Sequence, residues 1–282
     1  DLLRQGSIFW QSELKSIAVR SDLVTLQLHS ETGTTKITAR LVVGADGLNS
    51  QVREAMGVTM HSRDYRQSAI VANLTLQYPQ SETAFERFTR GGPLALLPLD
   101  NGRHVAVRCC GSEQVEHLMG INDAQYLASL ADAFGHRFGA FSDLSKRSIH
   151  PLSLSWAQRI VDQRIALVGA AANNIHPNGA QGLNLGLRDV AALAANVGEA
   201  LRVGEDIGGD HVLQEFSRAR QSDQRAVIRF TDTLAQLFST SLPPLGLIRD
   251  AAMIALDMSP AAKRWLIGYA TGSIAKLGRS AH

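Results

Sequence analysis

Residues 165–184 read IALVGAAANNIHPNGAQGLN. Ile165 to Val168 is an uninterrupted apolar run, the pattern of a strand buried on both faces of a sheet. Gly169 then opens a loop of Gly, Ala and Asn, small residues that let a backbone approach a planar ligand closely. Beyond Gly182, apolar side chains fall at Leu183, Leu187, Val190, Ala194, Val197 and Leu201. That spacing predicts an amphipathic helix of about five turns. Its start presents the unpaired N–H groups of Leu183 and Asn184 with about half a positive charge behind them. An electron-rich carbonyl or a developing anion is what such a helix start attracts. The same spacing also suits a tight strand-to-helix connection with no ligand.

A second stretch shares this logic. Leu41 to Val43 is again a continuous apolar run, and it delivers Asp46 to the carboxyl end of a strand buried on both faces. Gly47 permits a turn, Ser50 is placed to cap a helix beginning at Gln51, and Arg53 on its first turn is expected to pair with Asp46 or reach a phosphate. An N-cap with a local ion pair is the plainer alternative.

Around these two stretches the chain divides. Ile8 to Trp10 and Val24 to Leu28 read as strands, and a turn at Glu31 to Gly33 leads to a return at Lys36 to Arg40. From Asp64 to Cys110 the pattern is β again, with strands expected at Ala69–Leu76, Ala84–Thr89 and Leu94–Leu99. Asn101-Gly102 signals a hairpin into His104 to Cys110. Ala124 to Phe138 reads as a helix and Ser148 to Trp156 as extended. A Gly-rich segment from Glu199 to Gly209 precedes an all-helical tail with helices at Val212–Phe238, Leu245–Met258 and Ala261–Tyr269. The apolar positions Leu245, Ile248, Ala252 and Leu256 form a face expected to pack on the strand–loop–helix domain.

Composition narrows the class. The 282 residues are 45% hydrophobic, so the chain buries enough apolar surface to fold. Twenty-eight basic and 26 acidic residues are scattered to a net +2, which gives no polyanion-binding face and argues against nucleic acid. Cys109 and Cys110 are adjacent, a poor disulfide geometry and too few for a Cys-rich zinc site, so a reducing compartment is expected. The nine His show no metal-ligand spacing, and no metal is expected. His176, beside Pro177, is the candidate acid–base residue. Glu86 and Arg87 are read as a cross-sheet ion pair, and Trp156, Trp265 and Phe238 as core or interface residues.

Taken together, Leu41–Arg53 and Leu167–Asp189 resemble the Asp-Gly and Gly-Asp motifs of the aromatic-ring (class A) flavoprotein hydroxylases. The chain is most similar to the ubiquinone-biosynthesis hydroxylases of the 2-polyprenyl-6-methoxyphenol hydroxylase type. Ala84 to Thr89, Gly92 to Ala95, Lys146 to Ser148, Asn184 to Asp189 and Arg220 to Asp223 carry the likeness, in order, over essentially the whole chain. The resemblance implies FAD held at Asp46, Gly169, Ala170, Pro177, Gly182, Leu183 and Asn184, with the last three giving N–H groups to the flavin pyrimidine edge and Pro177 near its reactive edge. It implies reduction by NAD(P)H and hydroxylation of a polyprenylated phenol with O₂. It also implies a cytoplasmic protein in peripheral contact with the inner membrane or with other ubiquinone-biosynthesis proteins.

Three positions depart from the family pattern. Ala170 stands where the family has an acidic residue, Asn173 where it often has His, and Gly179-Ala180 reverses an Ala-Gly pair. Nothing before Leu41 matches the family's G-x-G-x-x-G unit, so the chain is expected to begin about a hundred residues into the pattern and to hold FAD incompletely.

The expected fold class is mixed α/β, an FAD-domain remnant with an inserted antiparallel β substrate domain and a C-terminal helical region. The expected boundaries are 1–63 for the partial FAD-binding domain, 64–158 for the substrate domain, 159–203 for the FAD-domain return and 204–282 for the helical region. The competing reading is a flavin-free relative that binds a prenyl-phenol or scaffolds partner enzymes.

Overall fold

The computed structural model describes residues 6–89, 91–177, 181–239 and 254–270; for residues 234–239, 265, 266, 269 and 270 it describes the backbone alone. The chain gathers into two compact units. The first comprises Asp1–His61, Ser155–Asn174 and Ala180–Ile228, and the second Ser62–Leu154, Ile175–Gly179 and Arg229–His282.

In the first unit, β1 (Glu13–Val19), β2 (Val24–Ser30) and β3 (Gly33–Ala39) form an antiparallel meander in that order. Ile8, Phe9 and Trp10, read above as a strand, are exposed and non-strand. Leu14, Ile17 and Val19, which pack on the core, define the first strand instead.

β4 (Val42–Gly44) pairs in parallel with β12 (Ile165–Leu167), Gly44 opposite Leu167, and the two-residue β11 (Val161–Asp162) completes the order β11-β12-β4. β12 is buried throughout, as its composition requires. β4 is not: Val43 is 42% exposed, because β4 is the edge strand and buries only the face carrying Val42 and Gly44. The helices of this unit are α1 (Gln51–Ala55), α4 (Gln181–Val203) and the start of α5 (Asp210–Ser239). Val42, Val52, Ile165 to Val168, Ala171, Leu193, Leu213 and Phe216 form its core.

The predicted helix after Gly182 is present as α4, but the stripe it buries is different. Leu185, Asp189, Leu193 and Ala200 face inward, while Leu183, Leu187, Val190 and Leu201 are exposed. The rotation follows from Gly186. A Cβ there would meet the Gly169 Cα at 3.1 Å, so this face of α4 comes closest to the strand–loop turn.

In the second unit the sheet runs β10-β5-β8-β7-β6, with β9 (Phe141–Ser142) beside β5. Its strands are β5 (Met60–Leu76), β6 (Phe85–Thr89), β7 (Gly92–Pro98), β8 (Arg103–Gly111) and β10 (Ser148–Ala157); β10 also pairs with β13 (Asn173–Asn174) at its Ser155–Trp156 end. The Asn101-Gly102 hairpin is present, both residues having positive φ within one 3-10 turn. Two helices cover one sheet face. α3 (Asp123–Phe134) starts at a reciprocal Asn122–Gln125 capping box, one position before its predicted start, and α2 (Ser112–Gly120) was not legible. Ile70, Leu74, Leu94, Leu96, Tyr126, Leu130, Phe134 and Phe138 fill the core between sheet and helices. Arg87 donates to the Phe134 carbonyl at the end of α3, a side-chain cap on the helix end.

Residues 254–258 are helical, and α6 (Pro260–Ala270) follows. Leu245, Ile248 and Ala252 lie outside the described residues, as do the side chains of Trp265 and Phe238. Among the described residues no helix is long and apolar enough to cross a membrane, and no group of three or more His, Cys, Asp or Glu could hold a metal ion.

Candidate functional site

The parallel pair β4–β12 sets the site in the first unit. Gly44 and Leu167 are in register, and Val168 N donates to the Gly44 carbonyl at 3.0 Å. Asp46 and Gly169 therefore leave two adjacent strands just past their carboxyl ends, where ligands bind in open α/β sheets. Asp46 is exposed, and its Oδ2 accepts from Val52 N at 3.1 Å. Gly47 takes φ 83°, and a side chain there would meet nothing within 4 Å, so the strand end opens onto free space.

Ser50 caps α1 as its residue type predicts, its hydroxyl accepting from Arg53 N at 2.9 Å. Arg53 itself does not pair with Asp46. Its guanidinium donates to the carbonyls of Ala171 (2.9 Å) and Leu48 (2.8 Å), tying the two strand-end loops together. The expected ion pair is replaced because two carbonyls lie within reach and Asp46 already accepts a backbone N–H.

Gly169, at φ 59°, begins a 3-10 turn through Ala171. Ala170 is exposed on that turn, while Ala171 and Ala172 are fully buried. Asn173 is nearly buried, and its Nδ2 has no acceptor among the described residues. One turn before Gly186, the start of α4 carries Gly182, Leu183 and Asn184, all exposed, with Leu183 at 74%. This open end of a 23-residue helix beside the Gly169 turn fits the electron-rich end of a flavin.

Beneath the turn lies a buried polar cluster. Asp189, at 0% exposure, accepts from Gly169 N through Oδ2 (3.2 Å) and from Arg220 Nε (2.7 Å) and Gln224 Nε2 (3.0 Å) through Oδ1. Arg220 also donates to Asp223 at 2.5 Å, and Arg188 Nε lies 3.2 Å from the same Asp223 oxygen. Sequence reading named Asp189 only as a motif end and missed Arg220 and Gln224 as its partners. An acidic residue inside an otherwise apolar helix stripe, Leu185 to Leu193, was the available signal.

His176 and Pro177 belong to the second unit, Pro177 exposed and His176 only 1% exposed. His176 Nε2 lies 3.3 Å from Gln67 Oε1, and its ring meets Tyr65 edge-on at 5.0 Å. Tyr65 donates its hydroxyl to Asp232 at 3.0 Å, and Arg63 pairs with the same carboxylate at 2.8 Å. Burial, and then the bond to Asp232, pushes the Tyr65 phenol well above the usual tyrosine range. Neither Tyr65 nor Gln67 was legible as a partner of His176, nor Asp232 as the partner of Tyr65. The trace of Tyr65 and Gln67 was their alternation with Arg63 along β5.

The family described as "FAD binding domain" matches residues 3–231. The chain is 38% identical over 263 residues to the ubiquinone hydroxylase UbiL of Rhodospirillum rubrum, covering 93% of this chain and 60% of that protein. It is 33% identical to the 3-demethoxyubiquinol 3-hydroxylase of Escherichia coli, covering 91% and 67% respectively. Among solved structures it resembles OxyS anhydrotetracycline hydroxylase from Streptomyces rimosus (TM-score 0.72, 23% identity, 96% of this chain and 54% of that one). It also resembles p-nitrophenol 4-monooxygenase PnpA from Pseudomonas putida (TM-score 0.73, 20% identity, 94% and 67%). The fold is that of the FAD-dependent aromatic hydroxylases, and the chain spans about three-fifths to two-thirds of the length of these curated relatives.

Proposed function

Because this chain belongs to the FAD binding domain family, we propose that it is the flavin- and substrate-handling part of a ubiquinone-pathway hydroxylase. The observation that carries the reading is the open first turn of α4 beside the Gly169 turn, at the carboxyl ends of β4 and β12. When bound and reduced by NAD(P)H, FAD supplies the capacity to activate O₂ for inserting one oxygen atom into an electron-rich phenol.

The chain's own residues bind, orient and exclude water. The N–H groups of Gly182, Leu183 and Asn184 bind the pyrimidine edge, where negative charge is favoured by the helix start. The Gly169–Ala171 turn approaches without side-chain bulk, and Asp46 lies toward the pyrophosphate. The family resemblance assigns Pro177 to the flavin's reacting edge. His176, buried with Nε2 3.3 Å from Gln67 Oε1, is the acid–base residue of this reading. Residues 62–154 serve as the substrate domain, and the phenol carries a polyprenyl chain. The protein works on the cytoplasmic side in peripheral contact with the membrane that holds such a lipid.

The test is the visible spectrum of the purified chain after incubation with FAD and desalting. A retained flavin spectrum that shifts when a polyprenylated phenol is added is expected. A folded chain that leaves the spectrum of saturating FAD unperturbed before desalting overturns the reading. Ala170, exposed on the turn where the resemblance has an acidic residue, favours a second reading, a flavin-free prenyl-phenol binder. Tryptophan quenching by the phenol in a chain that retains no flavin identifies it.

A further inference from the structure

We propose that Asp189 is a positioning residue: it holds the Gly169–Ala171 turn in place for the flavin, and Arg220 and Gln224 of α5 hold Asp189. This role rests on the flavin reading above. The geometry is confined to the first unit and accounts for every partner of one fully buried carboxylate. One oxygen accepts from the Gly169 backbone, and the other accepts from two side chains of a different helix.

A buried carboxylate is costly unless it is paired and its lone pairs are satisfied. Here Arg220 supplies the charge and Gln224 a second donor, both nearly as buried as the carboxylate itself. The third donor is the informative one. Gly169 N–H is the second amide after the buried strand, next to the Val168 N–H that bonds Gly44, at the residue whose left-handed φ starts the turn. Fixing that amide fixes where the turn begins relative to α4, since Asp189 lies on α4 and Gly186, one turn earlier, packs against the Gly169 backbone. Two contacts on one helix face, one steric and one charged, thus set the turn against the helix start.

Asp189→Asn keeps the size of the side chain and breaks the pattern. An amide offers one accepting oxygen to three donors on two sides, so its NH₂ must face either Gly169 N–H or the Arg220–Gln224 pair. Adding Gln224→Glu returns a carboxylate beside Arg220. The amide at position 189 then donates to it while its oxygen accepts from Gly169. Rescue by a second substitution that touches neither the turn nor the flavin is a signature that loss of packing does not share.

The experiment measures hydrogen exchange of the peptide covering residues 169–172 in the whole chain, and FAD affinity by quenching of flavin fluorescence. Asp189→Asn is expected to speed exchange in that peptide at least tenfold while β2 and β3 keep their protection, and to weaken FAD at least tenfold. The double variant is expected to recover both. Unchanged exchange at 169–172 overturns the tether. Faster exchange with unchanged FAD affinity overturns the positioning role. Exchange that rises equally in β2 and β3, without rescue, makes Asp189 merely structural and also overturns it. A wild-type chain that binds no FAD but shows the same local exchange response and rescue overturns the flavin reading and leaves the tether standing.

Discussion

Gly186 of α4 and Gly169 of the strand-end turn are in backbone contact: a Cβ on Gly186 would fall 3.1 Å from the Gly169 Cα. Alanine gains about 1 kcal/mol of helix propensity over glycine, while overpacking against backbone costs about 1–3 kcal/mol. Gly186→Ala is therefore expected to leave stability within about 2 kcal/mol of wild type and to weaken flavin binding. Gly186→Val, with two further carbons, is expected to unfold at clearly lower urea. Urea midpoints and flavin titrations on both variants check the order.

Gly208 meets a harder wall. A Cβ there would lie 2.0 Å from the Arg40 carbonyl oxygen and 2.6 Å from Arg164 Nη1. Gly208→Ala is expected to destabilise the chain by about 1–3 kcal/mol, since backbone must move. Chemical denaturation reads this directly, and a neutral result would show that the loop yields without cost.

Acid should loosen the same corner. Arg164 binds the Ser21 and Arg40 carbonyls and both oxygens of Asp206. The Arg164 hydrogen bond, with Gly208 N and Arg40 helping, holds Asp206 down at about 2, against 3.8 for the free side chain. A carboxyl lowered by folding stabilises fully above its unfolded pKa and ceases to do so as pH falls through its folded one. Stability is expected to drop between about pH 4 and pH 2, and Asp206→Asn to flatten that limb. Asp206 is partly exposed, so the effect is screened by salt.

Ala170 predicts a gain. If the turn faces the ribitol of FAD, Ala170→Asp adds one charged hydrogen bond, worth about 1.5–3 kcal/mol, a tightening of about tenfold to a hundredfold. Flavin titration of the variant measures it. Unaltered affinity would place the ribitol elsewhere.

Both thiols should be inert. Burial, followed by the nearby Glu86 charge, pushes Cys109 up to about 12, and burial raises Cys110 as well. Alkylation at neutral pH is expected only after unfolding, with mass spectrometry counting the adducts. Labelling of the folded chain would mean that β8 opens locally.

Local pattern accounts for the parts of the fold that were legible. An apolar run ended by small residues marks β12 and its loop, Asn101-Gly102 marks the turn into β8, and Ser50 marks the start of α1. The rotation of α4 was not legible, because apolar residues surround most of that helix and a one-residue glycine contact decides which stripe is buried. α2 escaped because its nine residues bury only Leu118. In the site, residue types placed Asp46, Gly169 and the α4 start within one unit, but partners brought by distant chain were invisible. Arg220 is 31 positions from Asp189, and Asp232 is 167 from Tyr65. No local periodicity reports a contact over such a span.

The parallel pairing of β4 with β12 has a consequence for how the chain is made. Val42 is synthesised before its partner Ile165, which follows only after all of residues 62–154. The β1–β3 meander closes over short hairpins and needs nothing downstream, so it is free to form first. β4 must wait for β12 while an entire intervening sheet is synthesised. Refolding should accordingly show a fast phase from the hairpins and a slow one from the β4–β12 closure. A chaperone that shelters exposed strand edges should shorten the lag before a competent Gly169 turn appears.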